Sequence, residues 1–429
     1  MKNCANEMLS FIKSSPSCFH AVQNIRKTLW DSGYTELFEG ESWNVERGGK
    51  YYVTRNGSSV IAFAVPEKCD APKFMVVASH SDSPTFKIKD TPELGGTYTR
   101  INTERYGGMI LDSWLDRPLS VAGRVVVRTD SGVSTRLVDV DRDLLLIPHV
   151  AIHMENPNEG KAYNPASDMV PLYGSAGAKG SFMSLIADAA GVKAEDIISH
   201  ELFLYNRTAP SVWGAEGEYI SSPRLDDLEC AYSSLVAMCD SECGSAIKVM
   251  FVADNEEVGS STKQGAGSTF LRDVLSRICD ALGGDIRVAA AQSMMLSADN
   301  AHAVHPNNPS LSDSAHAPEM NKGIVIKYNA SQLYTTDAVS AAVFREICAR
   351  ADVPTQVFAN RSDKRGGSTL GNISNSQVSM SAVDIGLAQL AMHSSYESAG
   401  ARDVEYMITA MKKFYETELA VGGSEVIIQ

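Results

Sequence analysis

Short apolar runs that stop abruptly on ionisable residues constrain this chain more than any other feature. Residues 73–78 lead into Ser79-His80-Ser81-Asp82, and residues 247–253 lead into Asp254-Asn255-Glu256-Glu257. Residues 286–291 continue through 294–298 to Asp299, and a stretch near the C-terminus ends at His393. Runs this short and apolar read as strands of an α/β sheet. In open α/β sheets, sites assemble at the carboxyl ends of strands, where loops converge. Four such ends offering His, Glu-Glu, Asp and His predict one shared site.

The residue types point to a hydrolytic metal centre. Of two adjacent carboxylates at a strand tip, one can bind a metal while its neighbour takes a proton from water. Two acids side by side repel each other, so a fold that keeps them together brings cations near. A lone Glu-Glu is ordinarily a solvated acidic turn, and a lone His a satisfied polar residue. The company of His80, Asp299 and His393 is what makes Glu256-Glu257 a metal-site candidate. His80 and Asp82 have the spacing for a carboxylate to accept the second N–H of a metal-bound imidazole. A two-metal site, with ions about 3.5–4 Å apart, also needs a bridging group. The candidate is Asp226, just before the helical-looking segment 229–238; Asp227 beside it can instead serve as a helix N-cap.

Composition narrows the class. A chain of 429 residues exceeds a typical single core, so two domains are expected, and a hydrophobic content of 44% suffices to pack them. A net charge of −14 argues against nucleic-acid or anionic-membrane partners, which require basic patches. Eight scattered cysteines without a Cys-x-x-Cys pair fit a reducing cytosol. The N-terminus has no secretory signal or room for a targeting extension, and no run of 18 apolar residues occurs, so a cytoplasmic location is expected.

Along the chain, residues 6–33 have helical spacing interrupted at Pro16, and strand-like runs follow at 51–54 and 59–65. From about 91 to 220 the texture becomes β-rich, with alternating segments at 119–128 and 132–139 and a polar Asn/Pro/Gly-rich loop at 155–174. Metal-ligand candidates flank this region and none lies inside it, the mark of an insertion. The glycine-rich stretch 361–371 lacks phosphate-loop spacing and reads as a turn. His302 and His305 are not a helical metal pair, since Pro306 ends any helix there.

The motifs together resemble the aspartyl aminopeptidase and vacuolar aminopeptidase I family of dinuclear zinc exopeptidases over nearly the whole length. The matching stretches include Ser14-Ser-Pro-Ser-Cys-Phe-His-Ala-Val22, Ala78-Ser-His-Ser-Asp-Ser-Pro84, Asp112-Ser-Trp-Leu-Asp-Arg-Pro-Leu-Ser120, Ile147-Pro-His-Val-Ala-Ile-His153, Arg224-Leu-Asp226, Asp254-Asn-Glu-Glu-Val-Gly-Ser260, Ser297-Ala-Asp-Asn-Ala-His302 and Gln389-Leu-Ala-Met-His393. The resemblance implies an α/β zinc-exopeptidase-like catalytic domain (1–92 and 222–429) with a central mixed sheet flanked by helices. An inserted β-rich dimerisation and lid domain (93–221) would interrupt it. It further implies two zinc ions per subunit, with cobalt or manganese able to substitute. Asp226 would bridge them, His80 and Asp299 completing one position and Glu257 and His393 the other. Glu256 would be the general base, with Asp82 its catalytic neighbour. His153, His302, Lys327 and Tyr334 would contact substrate, His153 by reaching into a neighbouring subunit. The substrate expected is a peptide with a free N-terminal Asp or Glu, and the assembly a dimer built up to a tetrahedral dodecamer. A broad or leucine-type metalloaminopeptidase, and an assembly or cargo protein with a vestigial site, are the alternatives.

Overall fold

The computed structural model describes residues 2–156, 160–422 and 425–429. Among these, nine strands form one mixed sheet. Their order is Thr35–Leu37, Lys50–Arg55, Ser59–Ala64, Ile247–Ala253, Phe74–His80, Met294–Ala298, Ser381–Gly386, Ile324–Tyr328 and Thr355–Ala359. The four central strands, from Ile247–Ala253 to Ser381–Gly386, run parallel. Every residue of Phe74–His80 and of Ile247–Ala253 is buried, as a sheet covered on both faces requires.

The two faces of each strand feed different cores. Met75 and Val77 pack with the helices Lys2–Lys13, Cys18–Asp31, Leu225–Asp240, Ala338–Arg350 and Asp403–Glu416. Phe74, Val76 and Ala78 face the helix Phe270–Leu282 and its neighbours. The period-2 alternation of a strand is what divides one apolar run between two cores. The helix pair expected on either side of Pro16 is present, as Lys2–Lys13 and Cys18–Asp31.

A second, antiparallel sheet has the order Gly132–Asp139, Leu119–Thr129, Ile197–Asn206, Thr85–Leu94, Tyr98–Tyr106 and Leu172–Ser175, and it has its own core around Phe86, Trp114, Phe182 and Leu202. It therefore starts at Thr85 and ends at Asn206, so the boundary anticipated between 92 and 93 falls inside a continuous strand. Residues 211–222 supply the strands Ser211–Trp213 and Tyr219–Ser222 to a third sheet. Its remaining strands are Glu397–Gly400, Ala388–Leu390 and Ala301–His302. The expected polar loop at 155–174 runs into the edge strand Leu172–Ser175; residues 157–159 of it lie outside the described residues.

One run departs from expectation. Ile286–Ala291 is a helix rather than the start of a strand, and the strand is Met294–Ala298 alone. Asp285 caps it, Oδ1 accepting the Arg287 N–H at 2.9 Å, and its three alanines have high helix propensity. No helix among the described residues is long and apolar enough to cross a membrane.

Candidate metal centre

Register places the acids and imidazoles together. Ala253 lies opposite His80, and Ser297 opposite Ala78, so three parallel strands end level and hand over to His80, the Asp254–Glu257 turn and Asp299. That turn is sharp: Asn255 has φ 60° and Glu256–Val258 makes a single 3₁₀ turn. Asp226 comes from the first turn of Leu225–Asp240, where non-helical dihedrals at Asp226 and Asp227 interrupt the regular helix. His393 does not end a strand of the large sheet. It sits in the left-handed conformation, φ 66°, on the loop between Ala388–Leu390 and Glu397–Gly400 of the third sheet.

Asp226 divides its carboxylate between two imidazoles. Oδ1 is 3.4 Å from His80 Nε2, and Oδ2 is 3.5 Å from His393 Nε2. Asp299 Oδ1 lies 4.0 Å from His80 Nε2, and Glu257 Oε1 lies 3.5 Å from His393 Nε2. His80, Asp226 and Asp299 thus form one group with ligand atoms within 4.8 Å of one another, and Asp226, Glu257 and His393 form a second. A third grouping takes in His80, Glu256 and Glu257. A tetrahedral ion with bonds of about 2.0–2.1 Å holds its ligand atoms about 3.3 Å apart, close to these separations. Asp226 Oδ1 and Glu257 Oε1 are buried with no hydrogen-bond partner among the described residues. The donor set and the orphaned oxygens both fit bound metal.

The electrostatics agree. Burial raises the Glu256 carboxyl to about 8, with Asp299, Asp82 and Asp226 adding to the effect and His80 opposing it. Burial likewise raises Asp299 to about 6 despite Lys327, and pushes Glu257 well above the carboxylate range. Burial would lower the His393 imidazole, but Asp226, Glu397 and Asp299 carry it up to about 9. In Asp226 the neighbouring His393 and His80 outweigh burial and hold the carboxyl below its usual range. Buried acids crowded this closely are of the kind that nearby cations balance.

Buried carboxylates hold the backbone of this centre. Asp82 does less for the imidazole than its spacing suggested. His80 Nδ1 lies 3.0 Å from the Asp82 main-chain oxygen and 3.4 Å from Oδ1, because the carboxylate is engaged elsewhere. Its Oδ1 accepts the Glu256 N–H at 3.1 Å, and its Oδ2 accepts the Glu257 N–H at 3.2 Å and the Tyr106 hydroxyl at 2.7 Å. Glu397 Oε2 accepts the Asp226 N–H at 3.1 Å and its Oε1 accepts that of His393 at 2.8 Å. Asp227 is not an N-cap; its Oδ2 accepts the His80 N–H at 3.0 Å. Sequence reasoning assigned no role to Glu397, Tyr106 or Asp384. The four-residue spacing from His393 to Glu397 was the one visible hint.

The cavity over the centre is lined by His302, Lys327, Tyr334, Phe358 and Met392, with Gly367-Ser368-Thr369 along one side. Lys327 is 2% exposed; its Nζ stands 3.8 Å from Asp299 Oδ2 and 5.5 Å from the centre of the Tyr334 ring. The Asp384 carboxylate ties two walls together, accepting from the Thr369 hydroxyl at 2.5 Å and the Thr335 hydroxyl at 2.7 Å. His153 does not line this cavity. It is exposed on the segment 150–154 of the second sheet's domain, and His305 is also exposed.

Comparison with known proteins gives a consistent result. The family model described as aminopeptidase I zinc metalloprotease (M18) matches residues 11–415. A probable M18 family aminopeptidase 2 of Clostridium novyi is 45% identical over 424 residues, covering 96% of this chain and 98% of that protein. Its counterpart in Stutzerimonas stutzeri is 38% identical, covering 96% and 97%. Among solved structures, that of the Ape4 and Nbr1 complex superposes with a TM-score of 0.94 at 36% identity, covering 97% of this chain and 86% of that one. The S. cerevisiae mApe1 dodecamer gives 0.85 at 26%, covering 97% of each chain. With a match across nearly its whole length and a set of candidate metal ligands gathered at the carboxyl ends of the central strands, this chain belongs to the M18 family of zinc aminopeptidases.

Proposed function

We propose that this aminopeptidase uses two zinc ions to remove an N-terminal residue, preferably Asp or Glu, from peptides with a free N-terminus. One observation carries the dinuclear reading: the two oxygens of Asp226 face different imidazoles, at 3.4 and 3.5 Å. His80 and Asp299 would complete one position, Glu257 and His393 the other, and cobalt or manganese would be tolerated by this mix of nitrogen and oxygen donors. When bound, the ions supply Lewis acidity towards the attacking water and the scissile carbonyl.

The chain's own residues do the rest. Glu256 takes the proton from the water and returns it to the leaving amine, and its side chain lines the cavity beside the proposed ligands, where it can reach both. Asp82 keeps Glu256 aimed by holding its backbone amide. His302 and Tyr334 shape the substrate cavity, and His153, exposed on the inserted domain, would act in a neighbouring subunit's site. The inserted domain would form the dimer interface, and dimers would build up to a tetrahedral dodecamer; mApe1, a similar structure, is a dodecamer.

The acidic preference rests on Lys327, a buried cation at the cavity wall, because a desolvated ammonium–carboxylate contact discriminates strongly against apolar side chains. Its 3.8 Å approach to Asp299 favours a second reading, in which Lys327 serves the metal carboxylate and specificity is broad. Comparing kcat/KM on Asp, Glu, Leu and Lys substrates for the wild type and Lys327→Met decides between them. The acidic reading expects Asp and Glu to lead and to lose that lead in the variant. A Leu preference in the wild type, or an unchanged ranking in Lys327→Met, would favour the second.

A further inference from the structure

We infer that the segment from Tyr106 to Ser113 is a positioning strap that holds the Glu256–Glu257 turn and His393 in place, with the Tyr106 hydroxyl as its anchor on Asp82. The inference rests on the proposed roles of Glu256 as base and of Glu257 and His393 as ligands.

The segment follows the strand Tyr98–Tyr106 of the second sheet and crosses to the metal centre. Its first contact is a directed relay. A carboxylate only accepts and an amide NH2 only donates. The Tyr106 hydroxyl therefore gives its proton to Asp82 Oδ2 at 2.7 Å and accepts from Asn255 Nδ2 at 2.7 Å. Both partners are fixed in turn. Asn255 Oδ1 accepts from the Thr262 hydroxyl at 2.7 Å and from Gln264 Nε2 at 2.8 Å, which aims its NH2 at the tyrosine. Asp82 accepts the backbone amides of Glu256 and Glu257. One phenol thus connects the residue before the base to the carboxylate that holds the base.

Three further contacts extend the strap. Gly107, at φ 79°, lies against Glu257 so closely that a Cβ there would stand 3.1 Å from Glu257 Cβ and 3.3 Å from its carbonyl oxygen. The Ile110 N–H donates to the His393 carbonyl at 3.0 Å. Ser113 Oγ accepts the Ser395 N–H at 2.9 Å, and the Ser113 carbonyl accepts from the Ser395 hydroxyl at 2.5 Å. The strap therefore touches the backbone of both residues proposed to complete one ion position. Its ring end is held separately: Tyr106 packs edge-on against Phe203 of the same sheet, with centroids 5.6 Å apart. Phenylalanine can keep that packing while removing the hydroxyl. Asp82 Oδ2 would then retain only the Glu257 amide, and Asn255 Nδ2 would lose its acceptor.

Tyr106→Phe and Gly107→Ala, with Glu256→Gln as reference, test this through three readouts: steady-state kinetics, zinc titration of the metal-free protein by calorimetry, and thermal unfolding. In Tyr106→Phe, kcat should fall about 10- to 100-fold with KM within about twofold, the scale typical for groups that orient metal ligands, and the unfolding midpoint should drop by no more than the loss of buried hydrogen bonds accounts for. One zinc-binding step should weaken by a similar factor. Gly107→Ala should weaken the same step; if it fails to fold, Tyr106→Phe decides alone. Wild-type kcat and zinc binding in a folded Tyr106→Phe protein would overturn the strap, as would a loss seen only in KM or in the unfolding midpoint. Near-normal turnover of metal-replete Glu256→Gln would instead sink the base assignment, leaving the effect of Tyr106 on zinc binding to be judged separately.

Discussion

At the residue scale, the centre is organised by carboxylates that do not themselves face the proposed ions. Asp82, Asp227 and Glu397 accept main-chain N–H groups from five of the residues around the centre, His80, Asp226, Glu256, Glu257 and His393. The Glu397 contact, at 2.8 Å, holds the backbone of His393 in its left-handed conformation. Glu256 is different, since its side chain lines the open cavity. Glu256→Gln should keep the zinc content measured by elemental analysis and lose turnover by about 10²- to 10⁴-fold, the range general acid–base catalysis contributes. Retained turnover at full metal loading would contradict its role.

At the scale of elements, strand ends and close backbone approaches fix where the proposed ligands stand. Gly386 closes the strand Ser381–Gly386 beside the Asp299 segment, and a Cβ there would come within 2.0 Å of the Asp299 carbonyl oxygen. Backbone cannot yield as a flexible side chain does. Gly386→Ala should therefore cost about 1–3 kcal/mol of stability and displace Asp299, lowering zinc affinity. Gly40→Ala, where a Cβ meets nothing within 4 Å, is the matched control and should leave both unchanged. Chemical denaturation and zinc titration of the two variants measure the contrast. Equal behaviour would mean that this strand end does not set the ligand position.

For the whole molecule, proposed ligands drawn from distant stretches of sequence would make metal binding a property of the folded state. His80, Asp226, Glu257, Asp299 and His393 meet only when two sheets and a helix end are assembled. Zinc should then stabilise the folded state by mass action, by about 4 kcal/mol when free zinc is 1,000 times its Kd, and so raise the unfolding midpoint; chelation should reverse the gain. A midpoint indifferent to zinc would argue against a site formed on folding. The proposed assembly belongs to this scale too. Sedimentation under assay conditions should find a large closed oligomer, and a fully active monomer would refute both the shell and a trans-acting His153.

Much of this was legible along the chain because the physics is local. A buried strand needs an unbroken apolar run, and a candidate ligand at its end must follow close behind; the proposed ligands His80, Glu257 and Asp299 do so and are visible in sequence. Asp226 was visible as an acid at a helix start, and the ordered motifs carried the family. Other features were not legible. Helix and strand are ambiguous in a short apolar run such as 286–291, which its capping by Asp285 decided. His393 was read at a strand end, yet its position comes from a loop held by Glu397. The inserted sheet takes in 85–92 and leaves out 211–221 because strand pairing, not composition, sets its edges. Tyr106, 24 residues from Asp82 and 149 from Asn255, carries no local mark of its contacts. Sequence alone determined which residues can serve as ligands, since that depends on side-chain chemistry and the run before it. Only tertiary structure decided which carboxylates face the centre and which hold its backbone, because that depends on which N–H groups the folded chain brings within reach.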